Sequence, residues 1–270
     1  MSKQRLLVAG AFAATVGLVS VTPAFADAPQ GFAGTLSGSY SSMNFSGSGS
    51  GGSANLWSGE GQAAFGLGMN NLAAEFDGGY HNLSSHGSND SLDIWNLGGH
   101  LFWAPAEGRL GATLQYEGLN GGGSDTHLTQ YGAFGEYYLS NMVTLGLNGG
   151  GWSGSSDVFG TGGDGTYIGG GGSVYLMPDL ALTGQITYFG DSGAHLTNYS
   201  ATGEWLVSED TPISVYGGYT YSDISNVGGH LNQWVIGVKF YTDGNGTALV
   251  DKHRNGALDN LVRPSLLTGQ

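Results

Sequence analysis

The stretch Q-Y-G-A-F-G-E-Y-Y-L-S-N-M-V-T-L-G-L-N runs from Gln130 to Asn148 and contains two segments in which apolar and polar residues alternate. In the second segment, Val143, Leu145 and Leu147 stand at every second position. The segments meet at Ser140-Asn141, a pair suited to a tight turn. Because a period of two puts successive side chains on opposite faces of a strand, the stretch predicts an amphipathic β-hairpin.

The same pattern recurs along the chain and predicts an all-β fold of twelve antiparallel strands, with ten as the alternative count. The strands are long enough to cross a bilayer at a tilt of about 45°. An even number of strands leaves both chain ends on one side of a closed barrel. The predicted strands are 31–41, 54–67, 71–81, 92–103, 109–119, 128–139, 142–152, 166–177, 180–190, 197–207, 211–222 and 231–241.

The predicted connections alternate between short turns and longer Gly-rich or polar loops. The short turns are 68–70, the turn at Pro105, 140–141, 178–179 and 208–210. The longer loops are 42–53, 82–91, 120–126, 153–165, 191–197 and 223–230. Short periplasmic turns paired with longer external loops are typical of transmembrane β-barrels.

Aromatic residues recur near both ends of the predicted strands, at intervals of roughly 36 residues. Rings of Trp, Tyr and Phe at the two ends of a barrel wall suit the headgroup level of a membrane. Trp152 and Tyr167 break the alternation, and nearby glycines suggest a β-bulge at each. The predicted girdle contains Tyr40, Trp57, Tyr80, Trp95, Tyr116, Tyr131, Tyr188, Tyr199, Trp205, Trp234 and Phe240.

The alternation assigns the two faces of the wall, because a charge at the bilayer midplane would cost about 2–4 kcal/mol on the lipid side. Outward glycines such as Gly78 and Gly99 are attributed to curvature and to packing beside aromatic rings. The predicted outward aliphatic residues are Leu56, Leu110, Leu114, Val143, Leu145, Leu180, Leu182, Ile213, Val215, Ile236 and Val238. The predicted pore-lining residues are Glu60, Glu75, Asp77, His100, Gln115, Glu117, Glu136, Glu204 and Lys239.

The sequence divides the chain into three predicted segments. Residues 1–26 have Lys3 and Arg5, an apolar run and Ala24-Phe25-Ala26, which together predict a cleaved secretory signal peptide. Residues 27–242 form the predicted barrel, and residues 243–270 form a C-terminal tail on the periplasmic side.

The composition narrows the choice of partners. Without Lys3 and Arg5, five of the seven basic residues remain against 21 acidic residues, a net charge of about −16. This balance argues against nucleic acid as a partner. The chain contains no Cys, so no disulfide is expected even in an exported protein.

With these features, residues 31 to 241 resemble the small outer-membrane β-barrel proteins of bacteria, porin-like in the broad sense. The resemblance implies a place in the outer membrane, contact with its lipid and insertion by the barrel-assembly machinery. The strand Gln233–Phe240 looks like the final strand of that class, with Phe240 as its aromatic residue. The tail after Tyr241 departs from the pattern.

The acidic lumen predicts a narrow, weakly cation-preferring pore for passive diffusion of small solutes. The alternative is a structural or surface-exposed barrel with a closed lumen and no transport. A secreted Gly-rich β-solenoid is a third possibility, although it would need shorter repeats and no aromatic rings. A remote alternative function is that of a lipid hydrolase, because His86-Gly87-Ser88-Asn89 resembles the His-x-Ser-Asn run of outer-membrane phospholipases. No orienting partner is evident for that run, so no enzyme is predicted.

The tail suggests how the lumen is closed. Lys252, Arg254 and Arg263 are three of the five basic residues after the signal peptide, and they stand next to the acidic lumen. One hypothesis is that this segment docks in or under the acidic lumen as a plug; the favoured alternative is a free periplasmic tail. The histidines at the outer rim show no convergence in sequence, so neither a metal site nor a cofactor is predicted.

Overall fold

The computed structural model describes residues 29, 31–47, 50–68, 70–86, 91–121, 124–154, 163–191, 193–208, 211–225, 228–242 and 246–258. Within them the chain forms twelve antiparallel strands closed into one barrel, as predicted, and one short helix. The strands are β1 (Phe32–Gly47), β2 (Ser50–Gly66), β3 (Leu72–Ser85), β4 (Ser91–Trp103), β5 (Gly108–Gly121), β6 (Ser124–Ser140), β7 (Val143–Gly154), β8 (Asp164–Met177), β9 (Leu180–Gly190), β10 (His195–Ser208), β11 (Thr211–Ile224) and β12 (Gly229–Tyr241). The helix is α1 (Leu249–Asn255).

Each strand pairs with its neighbours in sequence, and β1 closes the barrel against β12. This closing ladder runs from the pair Thr35–Tyr241 to the pair Ser46–His230. Closure satisfies the backbone hydrogen bonds that edge strands would otherwise leave open. Among the described residues, no helix is both long and apolar enough to cross a membrane.

We call the end of the barrel that carries the β2–β3, β4–β5, β6–β7, β8–β9 and β10–β11 connections the turn end, and the opposite end the loop end. Two of the predicted loops, 42–53 and 120–126, are wrong, because strand pairing continues through them. β1 and β2 pair as far as Gly47 and Ser50, and β5 and β6 pair as far as Gly121 and Ser124. Gly- and Ser-rich composition favours loops, but the backbone hydrogen bonds of a hairpin ladder can override it.

All eleven residues of the predicted girdle lie on the outer face of the wall. Trp57 and Trp234 remain more than 60% exposed. Several girdle rings contact each other across neighbouring strands, such as Tyr40 with Trp57 at 4.8 Å and Trp95 with Tyr116 at 5.2 Å between ring centroids. The outer surface is therefore apolar between two levels of aromatic rings, which is the surface that lipid would cover.

Leu56 corrects one face assignment. It was predicted to point outward, but its side chain is 1% exposed and shares the inner face with Glu60 and Gln62. Leu56 and Trp57 are adjacent, so one of the two must point inward. The amphipathic indole takes the outer position, and the leucine fills the lumen.

Trp152 and Tyr167 also point inward, without the predicted bulges. Trp152 pairs with Gln130 and Tyr167 with Gly150 in an unshifted register. Glycines create the space for these rings, since a Cβ atom at Gly165 would lie 2.4 Å from the Trp152 ring. The shifts in register lie instead at the turn end of three strands, between Tyr138 and Ser140, between Tyr175 and Met177, and between Leu206 and Ser208.

Several outward glycines lie beside large side chains on the neighbouring strand. Gly78 is paired with Leu97, whose side chain would be 3.1 Å from an added Cβ atom. Gly118 is paired with Trp95, and an added Cβ atom would lie 2.5 Å from the indole. The glycines therefore let bulky neighbours lie flat across the strand and cover its backbone, as in aromatic rescue of strand glycines.

Candidate functional site

All nine predicted pore-lining residues lie on the inner face of the wall, and most of them are paired. Lys239 donates to Glu204 at 2.9 Å, and Asp77 lies 2.5 Å from His100. Gln130 donates to Glu117 at 3.2 Å, although it was not predicted as a site residue. The remaining predicted residues are Glu60, Glu75, Gln115 and Glu136, and they share this face. Because of this pairing, the lumen is less negative than a count of its carboxylates suggests.

The lumen contains a polar cavity beside β1, β2 and β9 to β12. The cavity measures about 100 Å³, which is room for several water molecules. Glu60, Gln62, Gln185 and Lys239 are among its wall residues, and Thr and Ser hydroxyls line much of the rest. Hydrogen-bonding groups of this kind can replace part of the hydration shell of a small polar solute.

The opposite side of the lumen is filled by side chains. Arg109 is buried there at 3.8 Å from Glu136, and its guanidinium lies 5.5 Å from the centroid of the Phe102 ring. Phe102 packs against Phe134 with ring centroids 6.3 Å apart. Among the described residues, the polar cavity therefore lies on one side of the lumen and packed side chains on the other.

Residues 246–258, which we call the plug, lie inside the turn end of the barrel. The plug includes α1 and contributes three buried apolar residues, Leu249, Ala257 and Leu258. Each joins a different apolar cluster of the wall. Leu249 packs with Tyr175, Ala181, Leu206 and Tyr241, Ala257 packs with Ala33 and Ala64, and Leu258 packs with Ala73, Phe102, Ala104 and Phe134. The plug therefore contacts the wall on several sides and forms the floor of the polar cavity.

His253 is the centre of a hydrogen-bonded group that ties the plug to the wall. Its Nδ1 atom lies 3.2 Å from the Tyr175 hydroxyl, and its Nε2 atom lies 3.1 Å from the Tyr241 hydroxyl and 3.4 Å from Glu204. The Tyr241 hydroxyl also donates to Glu204. Glu204 therefore connects the plug to Lys239, its ion-pair partner on β12.

Two arginines complete the attachment. Arg109 donates to the main-chain carbonyl oxygens of Arg254, in the last turn of α1, and of Gly256, just after the end of that helix. Arg254 donates to the carbonyl oxygens of Ser140 and Val143 at 2.7 Å and 3.0 Å. Burial lowers the pKa of the Arg254 guanidinium, which nevertheless remains protonated because arginine titrates far above neutral pH.

The structure changes the predicted role of the basic tail residues. Lys252 donates to Gly246 within the plug, and Arg254 binds main-chain carbonyls of the wall, so these hydrogen bonds involve no acidic residue of the lumen. Among the described residues, the plug side chain within ion-pair distance of a lumen carboxylate is that of His253. Arg263 lies outside the described residues.

Three tyrosines near the turn end point into the barrel, namely Tyr138, Tyr175 and Tyr241. Inward aromatic residues at this end are the sequence signal that a further segment packs inside the turn end.

We expect Arg254→Met to loosen the plug, since three charge-assisted hydrogen bonds to Ser140, Val143 and Thr144 are lost and each is worth about 1.5–3 kcal/mol. The measurement is the rate at which a maleimide labels a cysteine at position 257, which is buried in the docked plug. The rate should rise by about tenfold or more. Lys252→Met is the matched control, because Lys252 hydrogen-bonds within the plug. Equal labelling rates in the two variants would contradict the assigned role of Arg254.

A fourth apolar cluster lies on the inner face at the loop end. It consists of Leu128, Trp152, Tyr167, Phe189 and Leu196, all buried on the inner face. This cluster and the plug therefore lie at opposite ends of the barrel. The sequence pattern missed it because aromatic rings near strand ends were assigned to the outer girdle.

The histidines of the rim do not converge. His127, His195 and His230 each contact a different tyrosine, Tyr116, Tyr188 and Tyr221, with ring centroids 5.7 to 5.8 Å apart. The His-x-Ser-Asn-like run lies largely outside the described residues, of which it includes only His86. Among the described residues, one group of acidic and histidine side chains has ligand atoms close enough to share a metal ion. It consists of Glu75, Asp77 and His100 in the lumen.

No protein-family model matches the chain, and no curated protein matches it. An outer membrane channel from Pseudomonas putida F1 shares the fold with a TM-score of 0.58 and 15% identity, covering 83% of this chain and 99% of that chain. The translocator domain of the autotransporter NalP from Neisseria meningitidis has a TM-score of 0.50 and 13% identity, covering 78% of this chain and 88% of its own. At these identities, the likeness shows a common barrel fold.

Proposed function

We propose that this chain forms a narrow diffusion pore in the bacterial outer membrane, closed in the described state by the plug. The observation that carries the proposal is the polar cavity inside a closed twelve-stranded wall, held shut at one end by a segment bound through reversible contacts. Eight strands leave no channel and sixteen leave a wide one, so twelve suit a narrow path. The outward apolar band and the fold shared with an outer membrane channel support the location.

The proposed path to that location begins with a signal peptide at residues 1–26, which lie outside the described residues. The barrel-assembly machinery would then insert the barrel and place residues 243–270 on the periplasmic side. In this orientation the plug closes the periplasmic mouth, and the hydrophobic cluster at the loop end lies towards the cell exterior. The proposal assigns no catalytic step to the chain.

The proposed solutes are small and hydrated, with cations favoured weakly. Six carboxylates face the lumen, namely Glu60, Glu75, Asp77, Glu117, Glu136 and Glu204, and the full cations of the wall are Lys239 and Arg109 within the described residues. Fixed negative charge along a narrow water path raises the local concentration of cations and repels anions. The pairing of several carboxylates keeps this preference weak.

Glu60→Gln should reduce the cation preference of a barrel that lacks residues 243–270. Glu60 lines the cavity, and its side chain is 20% exposed, so its charge acts on the water path. The measurement is the reversal potential of single channels in a potassium chloride gradient. Asp93→Asn removes the same charge from the outer face, where Asp93 accepts from Tyr80 at 2.7 Å, and should leave the reversal potential unchanged. A larger shift in the control would argue against the assigned ion path.

A closed structural barrel is the second candidate function. The filled side of the lumen and the extensive attachment of the plug favour it. Single-channel recording in planar bilayers separates the two functions. Discrete conductance steps, even rare ones, support a pore with a movable plug, whereas a silent barrel both with and without the plug supports a scaffold.

A further inference from the structure

We propose that Glu75, Asp77 and His100 form a binding site for a divalent transition-metal ion such as Zn²⁺, on the lumen wall beside the plug. One ligand atom from each residue lies within 4.8 Å of the other two. The inference is independent of whether the barrel conducts.

The local backbone explains how three residues of two strands meet. Glu75 and Asp77 are two positions apart on β3, so both side chains point into the lumen. His100 on β4 is paired directly with Glu75. Asp77 is paired with Gly98, where an added Cβ atom would lie 2.3 Å from the Asp77 carboxylate. Because position 98 has no side chain, the Asp77 carboxylate can lie across β4 and reach His100.

His100 provides a second, independent observation. Its side chain is fully buried, and its Nε2 atom lies 2.5 Å from the Asp77 carboxylate. Its Nδ1 atom is buried with no hydrogen-bond partner among the described residues. A buried ring nitrogen without a partner costs free energy, which is unusual for a purely structural histidine.

The charge balance of this side of the lumen also favours a cation. Glu75, Asp77 and Glu136 are three carboxylates against two guanidiniums, since Arg109 lies 3.8 Å from Glu136 and interacts with Glu75, and Arg254 interacts with Glu136. Burying excess negative charge is costly unless a cation offsets it. A dipositive ion between Glu75 and Asp77 would supply that charge.

The donor set indicates the class of metal. One imidazole nitrogen and two carboxylate oxygens match Zn²⁺ and the neighbouring first-row ions better than Mg²⁺ or Ca²⁺, which prefer oxygen ligands alone. Binding requires Asp77 and His100 to separate slightly, because two ligands at about 2.0–2.2 Å from one Zn²⁺ ion lie farther apart than a short hydrogen bond. When Nε2 binds the ion, the ring proton resides on Nδ1.

The site is connected to the plug through Glu75. A carboxylate oxygen of Glu75 accepts a hydrogen bond from the main-chain nitrogen of Leu258 at 2.6 Å. A metal ion bound to Glu75 would therefore hold the same carboxylate that anchors the end of the plug. Metal binding should slow the labelling of a cysteine at position 257 by maleimide.

The test uses the full-length protein, purified in detergent and freed of metal with a chelator. Titration with zinc chloride, followed by calorimetry, should show one Zn²⁺ per chain, and Co²⁺ should produce visible absorption bands that Zn²⁺ abolishes. His100→Gln and Asp77→Asn should weaken Zn²⁺ binding by at least about tenfold. His127→Gln and Asp93→Asn change the same residue types on the outer face and should leave the affinity unchanged.

Two results would overturn the site. One is a wild-type protein that binds no Zn²⁺ at micromolar concentrations. The other is binding that the outer-face variants weaken as much as the lumen variants do. If a lumen variant does not fold, the Co²⁺ spectrum of the wild-type protein decides, because a spectrum identical to that of the hydrated ion excludes the nitrogen ligand.

Discussion

Deleting residues 243–270 is expected to raise the single-channel conductance of the barrel several-fold, from rare or absent steps to frequent ones. The plug occupies the turn end and forms the floor of the polar cavity, so its removal joins that cavity to the solvent. The clusters around Leu249, Ala257 and Leu258 lose one member each, while the closed hydrogen-bonded wall keeps all twelve strands. Conductance is measured in planar bilayers, and heat-modifiable migration in gels confirms that the deleted protein is folded.

A disulfide lock tests the same event without removing any residue. Ala257 of the plug packs with Ala33 of β1, and the chain has no Cys, so Ala33→Cys with Ala257→Cys introduces one unique pair. The oxidised double variant should remain closed, and a reductant should restore wild-type gating. Each single variant is the control and should not respond to the reductant. Unchanged conductance in both the deletion and the lock would show that the plug does not control the path.

The wall of the barrel was predictable from sequence because its signal is repeated in every strand. Alternation such as that of Leu145 and Leu147 recurs twelve times, and a lipid-facing charge is penalised wherever it occurs. The face of an individual residue is less certain where two large apolar residues are adjacent. Leu56 beside Trp57 is such a case, and hydropathy alone does not decide which side chain enters the lumen.

The contents of the lumen were less predictable, since they depend on contacts between residues far apart in sequence. Trp152 and Tyr167 carry the ring type of the outer girdle, but glycines on neighbouring strands give them room inside. The charge of Lys252 and Arg254 suggested a plug only as a hypothesis ranked below a free tail. The observed attachment of the plug relies on carbonyl groups, tyrosine hydroxyls and His253, for which net charge gives no signal.

Leu147→Arg should destabilise the barrel by about 2–4 kcal/mol when it is folded in lipid vesicles. Leu147 is 65% exposed on the outer face and pairs with Gly135, which lies between the outward rings of Tyr131 and Tyr137 on β6. Because the leucine is not part of a buried cluster among the described residues, its loss creates no core cavity. The expected cost therefore reports the transfer of a charge into the hydrocarbon. The free energy is measured by reversible unfolding in a denaturant.

Gln185→Arg is the matched control, since it introduces the same side chain on the inner face. Gln185 lines the polar cavity, where water and the carboxylates of the lumen can solvate a guanidinium. We expect the free energy of unfolding to change by less than about 1 kcal/mol. A wall in water on both sides would make the outer substitution the cheaper one, because an exposed arginine costs little there. Equal or reversed costs would therefore show that lipid does not cover the apolar band, and the proposed pore would lose its location along with its function.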